Sequence, residues 1–233
     1  MGATRFPGKP LADLCGKPMI QWVYERAAKA GGVSRVIVAT CDREIIDTVR
    51  GFGGEAVVTS DKHRTGTDRI AEAAVDLDVD VVVNVQGDEP LIDPDSIEKA
   101  LGPFAEGDGA PMVSLMTPID SEAAKDPNLV KVVVSRDGYA LYFSRSPIPY
   151  ERKPLRGMSI YGHVGVYAYT KEFLLTFAAL EPTPLEMAES LEQLRALEHG
   201  YRIRMVEIAA RPLGVDTVED LERAAKAIMN CEL

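Results

Sequence analysis

The run Val81-Val82-Val83-Asn84-Val85-Gln86-Gly87-Asp88-Glu89-Pro90 decides the fold. Its first five residues are four valines and an asparagine, an apolar stretch of strand length suited to a strand covered on both faces. In open parallel sheets, ligands lie beyond the carboxyl ends of the strands. A carboxylate that follows the strand and a glycine can therefore reach a metal ion carried by a polyphosphate. The plain alternative is that Asp88 and Glu89 only open a turn before Pro90. The place directly after a buried strand favours the functional reading.

Outward from this strand, apolar runs alternate with helical patterns. Val36-Ile37-Val38-Ala39-Thr40 predicts a strand, residues 44–52 a helix stopped by Gly53-Gly54, and Ala56-Val57-Val58-Thr59 a second strand. Residues 67–77 and 95–104 have helical spacing on either side of the central strand. The alternation predicts an α/β fold with a mainly parallel central sheet and helices on both faces. The second half changes character. Val130–Ser135 and Ala140–Ser144 flank Arg136-Asp137-Gly138, a hairpin signal with Asp-Gly at the turn. Residues 161–169 and 203–208 read as strands, 185–199 as a helix with Met187, Ala188, Leu191 and Leu194 on its apolar stripe, and 217–229 as a closing helix. No repeat, low-complexity tract or flexible linker interrupts the chain. It reads as one domain over 1–233, with 1–120 and 210–233 forming one part and about 130–205 an inserted antiparallel region.

Bulk properties narrow the function. The 233 residues carry a net charge of −10, which argues against a nucleic-acid surface, since such surfaces are basic. No run approaches the roughly 18 apolar residues of a membrane span, and the first residues lack the apolar core of a signal peptide. Cys15, Cys41 and Cys231, widely spaced and odd in number, make neither a disulfide framework nor a C-x-x-C metal or redox pair, which fits a reduced cytoplasmic setting.

Four further segments could carry chemistry. Arg5-Phe6-Pro7-Gly8-Lys9-Pro10-Leu11 combines a glycine, which lets backbone approach a phosphate, with two cations; it is equally readable as a surface turn. It is not a Walker A loop. In His63-Arg64-Thr65-Gly66-Thr67-Asp68-Arg69, Thr67 reads as an N-cap whose neighbouring amides suit an anion, or as an ordinary capped surface helix. Thr217 and Asp220 form a capping-box pattern, and Asp216 by itself reads as a helix-start acid. Last come Tyr142–Arg145, Tyr161–Tyr167 and Leu191–Leu194, where His163 alone is more readily a packed, hydrogen-bonded residue and Glu192 and Gln193 solvated ones.

Together these segments resemble the 3-deoxy-manno-octulosonate (KDO) cytidylyltransferases. The resemblance is carried by Arg5–Leu11, Gly66–Arg69, Asn84–Pro90, Val130–Val133, Ala140–Arg145, Leu191–Arg195 and Gly214–Thr217, in the family's order and over nearly the whole chain. It implies the nucleotide-diphospho-sugar transferase fold, a homodimer, CTP and KDO as substrates, and Mg²⁺ held by Asp88 and Asp216, which reverses the isolated reading of Asp216. Lys9, Asp88 and Asp216 would be catalytic. Arg5, Lys9, Arg64, Gly66, Thr67, Asp68, Gln86 and Asp88 would bind the nucleotide. Arg145, His163, Tyr167, Glu192 and Gln193 would line the sugar site, making 130–205 the sugar-binding and dimerisation part. The resemblance departs at one place. The family opens on an apolar strand and an Ile-Pro-Ala-Arg segment just before the equivalent of Met1, and the 233 residues contain neither. The expectation is reduced nucleotide affinity and stability for this chain, or a start further upstream. The rival readings are a cytidylyltransferase for sialic acid or an amino-substituted KDO, and a nucleotide-binding homologue without catalysis.

Overall fold

The computed structural model describes residues 6, 8–63, 65–153 and 157–230. Gly8, at φ +71°, turns the chain into a single 3-10 turn, Lys9–Leu11. Only glycine adopts that conformation without strain. Asp13–Leu14 (β1) and Lys17–Pro18 (β2) pair antiparallel across Cys15 and Gly16, both at positive φ. Met19–Ala27 (α1), Val38–Thr40 (β3), Arg43–Gly51 (α2), Ala56–Val58 (β4), Gly66–Ala74 (α3), Val81–Asn84 (β5) and Pro94–Ala105 (α4) follow. Then come Met112–Ile119 (β6), Lys131–Val134 (β7), Ala140–Ser144 (β8), Ile160–Thr170 (β9) and Lys171–Ala179 (α5). Pro184–Glu189 (α6), Gln193–Glu198 (α7), Ile203–Glu207 (β10) and Val218–Met229 (α8) complete the chain.

The described residues fall into two compact units, one within 1–78, 84–98 and 212–233, the other within 79–83 and 99–211. In the first, β3 and β4 pair in parallel, Val38 opposite Ala56 and Thr40 opposite Val58. Ile20, Ile46, Val49 and Ala56 form one buried cluster there. Leu14, Met19, Val215 and Ala224 form another, which brings the segment before α8 onto the β1–β2 hairpin.

The second unit holds a six-stranded sheet in the order β10-β6-β9-β7-β8, with β5 added on β9. β10 and β6 are parallel, whereas β6–β9, β7–β9 and β7–β8 are antiparallel. The α/β class holds, and the described ladders are mixed. The Asp-Gly hairpin is present, with Gly138 at φ +76° and its N–H donating to Ser135 O. Two expectations need correction. Thr65 rather than Thr67 caps α3, in a box with Asp68, because its side chain is the one that reaches the Asp68 N–H; Thr67 is buried one residue inside the helix. The expected helix over 185–199 is two helices, broken where Ser190 takes φ 53°. The break turns Met187 out to solvent and leaves Leu191 and Leu194 buried.

Candidate active site

The β5 strand delivers Asn84, and the turn after it is closed by Glu89 N–H to Gln86 O and Ile92 N–H to Glu89 O. Asp88 stands on that turn. Its carbonyl accepts from Val215 N–H at 2.8 Å, which ties the turn to the segment carrying Asp216. Asp216 and Thr217 are held in place by α8: the Asp220 carboxylate accepts from both backbone N–H groups, at 3.0 and 2.9 Å. Lys9 comes in from the opposite end of the sequence. Its Nζ donates to Asp88 Oδ2 at 2.7 Å and to Asp216 Oδ1 at 3.2 Å. Burial alone would lower the Lys9 pKa, but the hydrogen bonds and charges of the two aspartates outweigh it and raise the value. The Lys9 side chain is 11% exposed and Asp216 69%, so the carboxylates form the open side of the group.

The three residues expected to be catalytic are thus one cluster. Two carboxylates converging on one cation are hard oxygen donors, the set Mg²⁺ uses when it keeps water and phosphate oxygens as its other ligands. Among the described residues no group of three or more His, Cys, Asp or Glu gathers as a closed metal site. An open two-carboxylate site fits Mg²⁺ bound jointly with a triphosphate.

Of the residues expected at the nucleotide, Gln86 donates to Asn84 Oδ1 at 3.5 Å, Gly66 opens α3, and Asp68 closes the capping box. Arg5 and Arg64 lie outside the described residues. Arg69, not singled out in the sequence, donates to Thr59 Oγ1 and Ser60 O and pins the loop leading into α3.

In the second unit, Tyr167 donates through its hydroxyl to Gln193 Oε1 at 3.1 Å, and the His163 and Tyr167 rings lie 5.4 Å apart. Gln193 is 2% exposed, not solvated. Glu192 lies 3.8 Å from Arg195. Arg145 spends its guanidinium on backbone carbonyls: Glu189 O at 2.8 Å, Pro127 O at 3.1 Å and Ser190 O at 3.5 Å. It thereby clasps the turn that splits α6 from α7. Glu189, missed in the sequence, accepts from Ser144 Oγ at 2.6 Å and Arg145 N–H at 2.9 Å. Burial works against its charge, and these bonds with the charges of Arg145 and Lys131 outweigh it, lowering the pKa. Lys131, fully buried, donates to Asp126 O and Arg145 O. Glu189 gave no signal because its partners are 44 and 45 residues away.

Two carboxylates and a fixed cation suit chemistry at phosphate, where placed charge does most of the work, and the relatives make the class a nucleotidyltransferase. A family model described as Cytidylyltransferase matches residues 1–204. The 3-deoxy-manno-octulosonate cytidylyltransferase of Syntrophotalea carbinolica is 54% identical over 230 residues, 95% of this chain and 92% of that protein. That of Geobacter metallireducens is 50% identical over 242 residues, 99% of this chain and 95% of that protein. The solved structure of a CMP:2-keto-3-deoxy-manno-octonic acid synthetase complexed with CTP superposes with TM-score 0.94 at 45% identity, over 100% of this chain and 95% of that one. The chain belongs to the 3-deoxy-manno-octulosonate cytidylyltransferase family.

Proposed function

We propose that this protein transfers CMP from CTP to the anomeric hydroxyl of KDO, giving CMP-KDO and pyrophosphate for lipopolysaccharide precursors. It would act in the cytoplasm as a homodimer. The observation that carries the reading is the convergence of Asp88 and Asp216 on the Lys9 ammonium. The anomeric oxygen forms a bond to the α-phosphorus, the bond from that phosphorus to the bridging oxygen breaks, and the hydroxyl proton is released. Mg²⁺, held by Asp88 and Asp216, would polarise the α-phosphate as a Lewis acid. Lys9 supplies a fixed positive charge for the oxygens of the departing pyrophosphate. The Val215–Asp88 backbone bond and the Asp220 carboxylate keep the two aspartates in place before any ligand arrives. That ordering is work the reaction then does not have to do. The second unit offers Tyr167, Gln193 and His163 to the sugar acid. No nucleophilic triad is needed, because no covalent enzyme intermediate forms.

Pyrophosphate release from CTP, with and without KDO and with and without Mg²⁺, tests this. Release that needs all three components is expected. Release indifferent to KDO would overturn the assignment, and faster release with sialic acid or an amino-substituted KDO would move it to that sugar acid.

A further inference from the structure

The ladder between β6 and β9 breaks once. Ser114 pairs with Tyr167, the next residue Leu115 pairs with Val164, and Gly165 and Val166 are left without opposite residues. Ser114, fully buried, lies against this bulge. Its Oγ is 2.9 Å from Val166 O, 3.3 Å from Val164 O and 2.9 Å from His163 Nε2.

A serine hydroxyl has one proton, and both carbonyls only accept. The proton therefore points to the carbonyls, with the nearer Val166 O as its main acceptor. Only lone pairs remain toward His163, so Nε2 must carry a proton and donate to Ser114 Oγ. The reverse arrangement, with Ser114 donating to Nε2, would set the oxygen's lone pairs against two carbonyl oxygens. It would also give up the 2.9 Å hydrogen bond to Val166 O. Burial and the charge of Arg211 push the His163 pKa down to about 3, so the ring is neutral and has one N–H to place. With that proton on Nε2, Nδ1 of the neutral ring is left as an acceptor. Phe143, edge-on at 5.0 Å, and Tyr167 hold the ring.

The neighbouring amide is polarised the opposite way. Gln193 Oε1 is taken by the Tyr167 hydroxyl, and Gln193 Nε2, a donor, is buried with no hydrogen-bond partner among the described residues.

We propose that Ser114 is a positioning residue: by filling the β9 bulge it locks His163 as the Nε2–H tautomer, which presents Nδ1 as an acceptor for a hydroxyl of the sugar acid and never for its carboxylate. The carboxylate is left to donors such as Gln193 Nε2. The step from tautomer to substrate rests on the sugar-acid reading above; the tautomer itself does not.

The chain has three histidines, so protein labelled with ¹⁵N-histidine gives a readable long-range ¹H–¹⁵N spectrum, with His163 identified by its loss in His163→Gln. The expected result is a protonated Nε2 and an unprotonated Nδ1 from pH 5.5 to 8. A protonated Nδ1 in the unaltered protein overturns the proposal, and that arm needs no variant that must fold. Ser114→Ala is expected to mix the tautomers and raise the KM for KDO about tenfold, while the KM for CTP changes less than about twofold. Ser114→Thr, which keeps the hydroxyl, is expected to restore the single tautomer. An unchanged tautomer, or an unchanged KM for KDO, in folded Ser114→Ala overturns it. Failure of the reaction assignment looks different: the unaltered protein would show the Nε2–H tautomer but no KDO-dependent pyrophosphate release.

Discussion

At the scale of single residues, three side chains from the beginning, middle and end of the sequence share one charge balance. Asp88 and Asp216 repel each other unless a cation lies between them, and Lys9 is such a cation. Asp88→Asn or Asp216→Asn removes one charge and keeps the shape. Each is expected to lower turnover by about a hundredfold or more, the scale found when a charge-stabilising group is lost, with an unfolding transition close to that of the unaltered protein. Near-normal turnover in both would overturn the metal assignment. His163 has a separate signature. Its pKa in the folded protein, about 3, lies below its ordinary value of 6.5, so the unfolded chain binds the extra proton first. Its contribution to stability is complete above pH 6.5 and is lost as pH falls toward 3. Between pH 6.5 and 5 this one residue should cost about 2 kcal/mol, at 1.4 kcal/mol per pH unit. Urea unfolding at the two pH values should show that loss in the unaltered protein and not in His163→Gln; equal losses would mean that His163 titrates normally.

At the scale of elements, caps and turns place the functional groups. The Thr217 Oγ accepts from Asp220 N–H at 3.2 Å, and the Asp220 carboxylate in turn holds the N–H groups of Asp216 and Thr217. Thr217→Ala should remove about 1 kcal/mol of stability. Because the same box orients Asp216, it should also raise the Mg²⁺ concentration needed for half-maximal pyrophosphate release. Thr217→Ser should do neither, and a stability loss with an unchanged Mg²⁺ requirement would separate the cap from the site. This box was legible because its pattern is local: Thr, two residues, Asp, at the start of an amphipathic helix. The strand leading to Asp88 was legible for the same kind of reason, a valine run ended by Gly87. What escaped the sequence is non-local or conformational. Thr65 and Thr67 both suit a cap, and only backbone geometry selects Thr65. The helix expected over 185–199 has continuous helical spacing, yet Ser190 adopts a left-handed conformation there. Its carbonyl and that of Glu189 accept from Arg145, far away in sequence. Ser114 sits inside the apolar run Met112–Met116, and nothing around it announces the bulge it fills.

At the scale of the whole molecule, the residues proposed for the nucleotide and those proposed for the sugar acid fall in different compact units. Lys9, Gln86, Asp88 and Asp216 belong to the unit made from 1–78, 84–98 and 212–233; Arg145, His163, Tyr167, Glu192 and Gln193 belong to the unit made from 79–83 and 99–211. The sequence reading placed residues 99–120 with the nucleotide part, whereas β6 lies in the sheet of the second unit, between β10 and β9. The prediction that belongs here is one of selective protection. A ligand bound only to the folded state stabilises it by mass action, about 2.7 kcal/mol at a hundredfold excess over its Kd. The segments touching the ligand should slow their amide exchange most, since local openings that break the site are the ones it suppresses. Hydrogen exchange with Mg²⁺ and CTP should therefore protect residues 8–12, 84–92 and 212–220 above all. KDO alone should protect the middle of β9 and the start of α7. Protection by CTP centred on β9, with the turn after β5 unaffected, would overturn the assignment of nucleotide to Asp88 and Asp216. The predicted pattern would instead tie each substrate to its own unit, with the nucleotide on the part whose elements come from both ends of the chain.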